Sequence, residues 1–145
     1  MQLRANQRTA RPAATVVELA VLLPLLAFLF VIGVDFARLF YHLVTVTNAA
    51  RSGAAYGAQD PVKALDGVGI VAAALNDSKN LSPPPAVVAT TGVDALGYPC
   101  VNVTVAWTFR TVTRFPGVAD TVLLSRTVQM RIAPKQPVRR MNRAP

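Results

Sequence analysis

The N-terminal part of the chain contains one long apolar run, and the remainder has mixed hydrophobic and polar patterning. From Val16 to Val34 every residue is apolar, Gly or Pro, with the single exception of Glu18. These 19 positions, at about 1.5 Å per helical residue, nearly match a hydrocarbon core about 30 Å thick. The run therefore predicts one membrane-spanning helix over residues 14 to 35.

The helical pattern does not stop at the end of the predicted span. After Asp35, apolar residues recur near the helical period at Phe36, Leu39, Phe40, Leu43, Val44 and Val46. This spacing predicts a single helix over residues 14 to 58 that leaves the bilayer. Because Pro24 cannot donate a backbone hydrogen bond, we expect a bend or local loosening of the helix there.

The distal part of this helix carries small residues at every fourth position. Two adjacent rows on one face are nearly bare of side chains: Ala49, Gly53, Gly57 and Ala50, Ala54, Ala58. Such a face admits a second backbone at close range, either the protein's own sheet or a neighbouring helix, although a weak helix end over residues 53 to 58 is an alternative. We therefore name four candidate subunit-contact residues on this face: Ala49, Gly53, Ala54 and Gly57.

A second helix and a connector follow. Asp60 is placed to cap a helix that begins with Pro61, and apolar residues then recur to residue 78. The segment 79 to 86 contains three consecutive prolines and cannot continue that helix.

Beyond the connector the hydrophobic period changes to two. Alternation over residues 98 to 115 and 121 to 133, separated by a turn at 115 to 120, predicts two long antiparallel strands, and residues 86 to 93 predict a third. The apolar face of this sheet needs a cover, and the bare helix face is available. The fold class predicted is α+β, pilin-like: a long N-terminal transmembrane helix that continues into an extracytoplasmic domain with a short second helix and a small antiparallel sheet.

Composition and charge set the domain count and the orientation. The chain has 145 residues, of which 52% are hydrophobic and 15% charged, which allows one domain plus an anchor. We divide it into a basic cytoplasmic tail or leader (1–13), the span (14–35), the outer domain (36–134) and a basic flexible tail (135–145). Arg4, Arg8 and Arg11 predict that the N-terminus stays in the cytoplasm, with the domain outside the inner membrane.

The basic residues could also belong to a signal peptide or to a nucleic-acid-binding surface, and both hypotheses carry less weight. A cleaved signal peptide begins with a basic region, but the first small-residue site, TNAA at 47 to 50, lies far beyond the apolar run. The net charge of +8 suggests nucleic acid, yet seven of the 15 basic residues lie at the two ends and no recognition motif accompanies the others. We expect a membrane-lipid partner and no nucleic acid.

The sequence offers few groups for catalysis. There is one histidine, His42, and one cysteine, Cys100, which we expect to be a packed or solvated imidazole and a buried small hydrophobe, respectively. The aspartates are scattered, and no phosphate-binding or nucleophile motif is present. We therefore predict a non-enzyme without metal or cofactor.

Several residues together carry a family resemblance. Glu18 lies early in the span, Pro24 follows six residues later, Asp35, Phe36 and Arg38 close the span, and an N-A-A-R-x-G-A segment runs from residue 48 to 54. This combination resembles the TadE-like proteins, which are pseudopilin-type components of the tight-adherence (Tad) pilus system of bacteria. The resemblance is close over residues 13 to 58 and loose over the rest. It implies other pilin or pseudopilin subunits as partners.

The resemblance also implies a processing site. A prepilin peptidase cuts family members after a glycine, five residues before this glutamate, which corresponds here to the Ala13–Ala14 bond, with Ala13 in place of glycine. After such a cut Glu18 could meet the new ammonium of Ala14 in an adjacent subunit, so that two buried charges compensate each other. Without one, Glu18 could extend its carboxylate to the headgroups.

The function predicted is that of a non-catalytic, membrane-anchored pseudopilin-like protein that assists Tad-type pilus assembly, secretion or adhesion. The alternative is an anchored extracytoplasmic module that binds an envelope ligand through its sheet and basic tail.

Overall fold

The computed structural model describes residues 10–112 and 119–135, with side chains from residue 15 onward. Three helices precede three strands: α1 (Ala10–Gly57), α2 (Pro61–Leu65), α3 (Gly67–Asn76), β1 (Ala86–Val93), β2 (Pro99–Arg110) and β3 (Thr121–Arg131). The predicted α+β class with one long N-terminal helix is confirmed. Most of the two basic tails and of the turn at 115 to 120 lies outside the described residues.

Helix α1 is a single element of 48 residues that begins four residues earlier than predicted and continues through Pro24. Pro12 does not prevent the early start, because the first turn of a helix has no intrahelical partner for its N–H groups. The predicted continuation of the membrane helix into the domain is thus confirmed.

The helix predicted over residues 60 to 78 is instead two short helices. Asp60 caps α2 as predicted, since its Oδ1 accepts hydrogen bonds from the backbone N–H groups of Val62 and Lys63 at 2.8 Å. Asp66 then interrupts the helix, with a non-helical ψ of 76°, and its Oδ1 accepts a hydrogen bond from Gly69 N at 2.9 Å. Aspartate favours such caps because its side chain competes with the helical hydrogen bonds.

The sheet is an antiparallel meander of order β1-β2-β3. In its centre Val103 pairs with Ala89 on one side and Val128 on the other. One sheet face packs against the helices, with α1 over β2 and β3 and α3 against β1. The buried cluster contains Val46, Ala49, Ala50, Ala54, Ile70, Ala74, Leu81, Val101, Val103, Val105, Phe109 and Leu124. The distal part of α1 is therefore the predicted cover of the sheet.

Candidate functional site

The apolar part of α1 projects away from the sheet. Over Thr15–Gly57 its most apolar window has a mean hydropathy of 2.7 and none of that window is buried inside the protein. By length and composition it is the one helix among the described residues that could cross a membrane. Because this apolar window is exposed, it is not part of the core of the domain. The helix suggests a single-pass membrane anchor.

Glu18 is exposed on this apolar surface. It lies on an open strip of the helix surface with Val17, Val21, Leu22 and Leu25. Where side chains are described, the ion pairs join Arg38 to Asp35 and Arg131 to Asp94, so Glu18 belongs to neither. A lone carboxylate on an apolar helix surface is costly in lipid unless it reaches the headgroups, becomes neutral or meets a cation.

The predicted processing site lies just before Glu18. The Ala13–Ala14 bond is part of α1, four residues into the helix. Ala14 and Glu18 are one helical turn apart, about 6 Å along the axis. An ammonium at residue 14 could therefore meet a Glu18 carboxylate of its own chain as well as that of a neighbour.

The small-residue face of α1 is filled by the protein itself. A Cβ added at Gly53 would lie 3.1 Å from Val103 Cγ1 and 3.2 Å from Ile70 O, and one added at Gly57 would lie 3.0 Å from Ile70 Cδ1 and 3.2 Å from Val101 Cγ2. Ala49 and Ala54 are fully buried. The packing matches the own-sheet alternative, so the four candidate subunit-contact residues on this face are buried, whereas Glu18, the other predicted subunit contact, is exposed in the single chain.

Asp35 joins the end of the span to the end of β2. The residue is 8% exposed, and its Oδ1 accepts hydrogen bonds from Arg38 Nη1 and from Val112 N, each at 3.3 Å. The sequence places Asp35 at the end of the span but gives no signal for the contact with Val112, since the two residues are 77 positions apart. The contact fixes this end of the sheet beside the end of the apolar run of α1.

His42 lies on α1 about two helical turns after Asp35 and packs in an aromatic cluster. Its ring centroid lies 4.8 Å from that of Trp107 and 5.6 Å from that of Phe109. Burial lowers the pKa of His42, and the nearby charge of Arg38 lowers it further. Its Nδ1 is buried without a hydrogen-bond partner among the described residues, which suits a neutral imidazole used for packing. This is the packed alternative expected for the histidine.

The distal end of the domain contains a second polar cluster and a cavity. Arg131 Nε donates a hydrogen bond to Asp94 Oδ2 at 2.6 Å, and its guanidinium lies 4.6 Å from the ring centroid of Tyr98. The cavity, of about 460 Å³, is lined by Pro61, Tyr98, Pro99, Arg131, Ile132, Ala133 and Pro134. The charged group that lines the cavity, the guanidinium of Arg131, is thus already paired with Asp94. This pairing indicates a structural role for the cluster.

Two further observations concern Cys100 and metal binding. Cys100 is fully buried, as expected, and its Sγ accepts a hydrogen bond from Gln129 Nε2 at 3.1 Å. In the part of the chain that the structure describes, no three His, Cys, Asp or Glu side chains lie together so that they could hold a metal ion.

Comparison with known proteins gives one match. The family model described as TadE-like protein matches residues 13–55, which is under a third of the chain and confirms the resemblance over that segment. The match begins at the first residue of the predicted processing bond and ends within the buried part of α1. No curated protein and no solved structure matches the chain.

Proposed function

We propose that this protein is a non-catalytic, single-pass component of a Tad-type pilus or secretion machine, held in the inner membrane by α1 with its sheet domain outside. The observation that carries the proposal is the coincidence of three features on one helix. The TadE-like match covers residues 13–55, the apolar surface of the same helix is open, and Glu18 is exposed on that surface.

The continuity of α1 supports a permanent anchor over a cleaved signal peptide. Cleavage at the small-residue site at 47 to 50 would cut α1 between Val46 and Ala50, both fully buried. The sheet would then lose part of the helix that covers it. Buried apolar contacts of this kind stabilise a domain by about 1.5–3 kcal/mol for each fully buried aliphatic side chain.

The charges flanking the span support the orientation with the N-terminus inside. Arg4, Arg8 and Arg11 precede the span without an acidic residue. On the other side two cations, Arg38 and Arg51, lie close enough to the span to count, so the excess before the span is three arginines against two. Short basic flanks are retained in the cytoplasm, which directs the sheet domain outward.

Glu18 would act between subunits. Glu18 is the third residue of the apolar run, so its carboxylate costs less there than the about 2.5–3.5 kcal/mol of a charge at the centre of a span. A nearby cation would offset the cost that remains. After a cut by a prepilin peptidase at the Ala13–Ala14 bond, the Ala14 ammonium of a neighbouring subunit would supply that cation. The open helix surface around Glu18, which includes Val21 and Leu25, is accessible to a neighbouring apolar helix.

Co-purification from native membranes tests this function. The full chain with an affinity tag after residue 145 is expected to recover pilin-like chains that can be identified by mass spectrometry. A variant whose span is replaced by a poly-leucine helix of equal length should insert but recover none. Equal recovery of such chains by both proteins, or of none by either, would contradict the proposed function.

A further inference from the structure

We propose that the end of the sheet nearest the predicted span, at Arg110 and Val112, is a second membrane contact. This end of the sheet rests in the phospholipid headgroup layer of the outer leaflet. The partner is a phospholipid surface, and the inference rests on the proposed anchoring by α1. It goes beyond that anchoring because it assigns a lipid-binding role to the domain itself.

The contacts along α1 show that β2 runs towards the span. Starting at the distal end, Gly57 and Gly53 approach Val101 and Val103. The aromatic contacts of His42 and Arg38 then follow further along β2, at Trp107 and Phe109, and the hydrogen bond of Asp35 reaches Val112.

The lengths of the two elements agree with this pairing. From Gly57 to Asp35, α1 extends about 33 Å at 1.5 Å per residue. From Val101 to Arg110, where β2 ends, the strand covers about 30 Å at 3.3 Å per residue, and two further residues lead to Val112. The end of β2 is therefore level with the end of the span.

That level falls within the headgroup layer. The apolar run from Val16 to Val34 matches the hydrocarbon core, so the outer edge of the core lies near Val34. The polar layer extends about 5–7 Å beyond that edge, which corresponds to about four helical residues. Asp35, one residue beyond the edge, holds Val112 N at 3.3 Å, so Val112 is placed within this layer.

The side chains at this level suit a lipid surface. Val112 is 68% exposed and Phe36 is 58% exposed, so both present apolar area where headgroups and acyl chains meet. Arg110 is exposed and can bind a lipid phosphate. The nearby acid Asp35 is buried and paired with Arg38, which leaves exposed Asp120 as the opposing charge.

Spin labels report the depth directly. The full chain in a Cys100→Ala background carries a nitroxide at Val112→Cys, at Val68→Cys or at Leu25→Cys, in vesicles of phosphatidylethanolamine and phosphatidylglycerol. Val68 is a matched control, since it is a valine at 82% exposure at the distal end, and Leu25 reports the span. Power-saturation EPR measures collision of each label with oxygen, which enters lipid, and with a water-soluble nickel chelate.

We expect the Val112 label to be more accessible to oxygen and less accessible to nickel than the Val68 label, while Leu25 reports the hydrocarbon core. A Val112 label as accessible to nickel as Val68, with Leu25 still in the core, would overturn this inference and leave the anchor intact. A water-accessible Leu25 label would overturn the anchor and, with it, the inference. Protection of Val112 that disappears on dilution with unlabelled chain would overturn it in favour of a contact between copies.

Discussion

Adding one methyl group at Gly53 is expected to destabilise the domain, in contrast to its ordinary effect in a helix. Replacing Gly by Ala in a helix interior stabilises it by about 0.5–1 kcal/mol. At Gly53, however, the new Cβ would lie 3.1 Å from Val103 Cγ1, 3.2 Å from Ile70 O and 3.3 Å from Ala74 Cβ. The second of these is a backbone atom and cannot move aside as a side chain can.

Overpacking of a well-packed core costs about 1–3 kcal/mol. After subtraction of the helix gain, Gly53→Ala should lower the free energy of unfolding by about 0–2.5 kcal/mol. Gly53→Leu adds three more heavy atoms at the same contact and should lower it by more. Gly67→Ala is the matched control, because a Cβ at Gly67 meets nothing within 4 Å.

Urea unfolding of the full chain in detergent micelles, followed by the fluorescence of Trp107, measures these differences. The order of stability should be Gly67→Ala, then Gly53→Ala, then Gly53→Leu. If Gly53→Leu unfolds at the same urea concentration as Gly67→Ala, the close approach of α1 to the sheet is refuted.

The other predictions concern charged and titratable groups of the domain. The hydrogen bond from Gly69 N, and then that from Tyr56, lower the pKa of Asp66. The contribution of Asp66 to stability is therefore present above the unfolded pKa of 3.8 and is lost as pH falls through the lower folded pKa. The urea midpoint should fall below pH 4, and it should fall less in Asp66→Asn. Burial lowers the pKa of His42, so the imidazole binds a proton more readily in the unfolded state and stability should fall as pH falls below 6.5. His42→Phe should remove that part of the loss of stability. An unchanged pH profile in this variant would contradict the packing role. Asp35→Ala removes the acceptor for Val112 N and should speed hydrogen exchange at that amide by roughly 5- to 150-fold, the equivalent of about 1–3 kcal/mol. Asp120→Ala, at an exposed acid, should leave the exchange rate unchanged, and an unchanged rate in Asp35→Ala would contradict the hydrogen bond.

The sequence predicts the elements whose pattern is long and regular. The run to Val34 is apolar on all sides, and the period-two alternation of β2 and β3 is set by burial of one sheet face, so the helix and both strands were predictable. The row of small residues indicated the close approach at Gly53, with a weak helix end over residues 53 to 58 as the alternative. Its partner was left open between the protein's own sheet and a second helix.

The sequence did not predict one local helix cap and one contact between residues far apart in the chain. The split of the second helix depends on one side chain, since Asp66 caps α3 through Gly69 N in place of continuing α2. The contact between Asp35 and Val112 depends on β2 being long enough to reach the end of the span. Neither the Asp66 cap nor the contact between Asp35 and Val112 produces a periodic pattern in the sequence. Both are therefore visible only in the three-dimensional structure.

The pairing of charges between subunits at Glu18 is tested most directly by photo-cross-linking from Val17, a neighbour of Glu18 on the exposed helix surface, combined with N-terminal sequencing. We predict a mature chain that begins at Ala14 and a cross-linked partner that is lost in Glu18→Leu but kept in the control Leu25→Val, with membrane insertion unchanged in both. Glu18→Gln should be intermediate if a hydrogen bond suffices. A chain that begins before Ala13, or a mature Ala14 terminus with full cross-linking in Glu18→Leu, would contradict this pairing and leave Glu18 extended to the headgroups or paired with its own terminus.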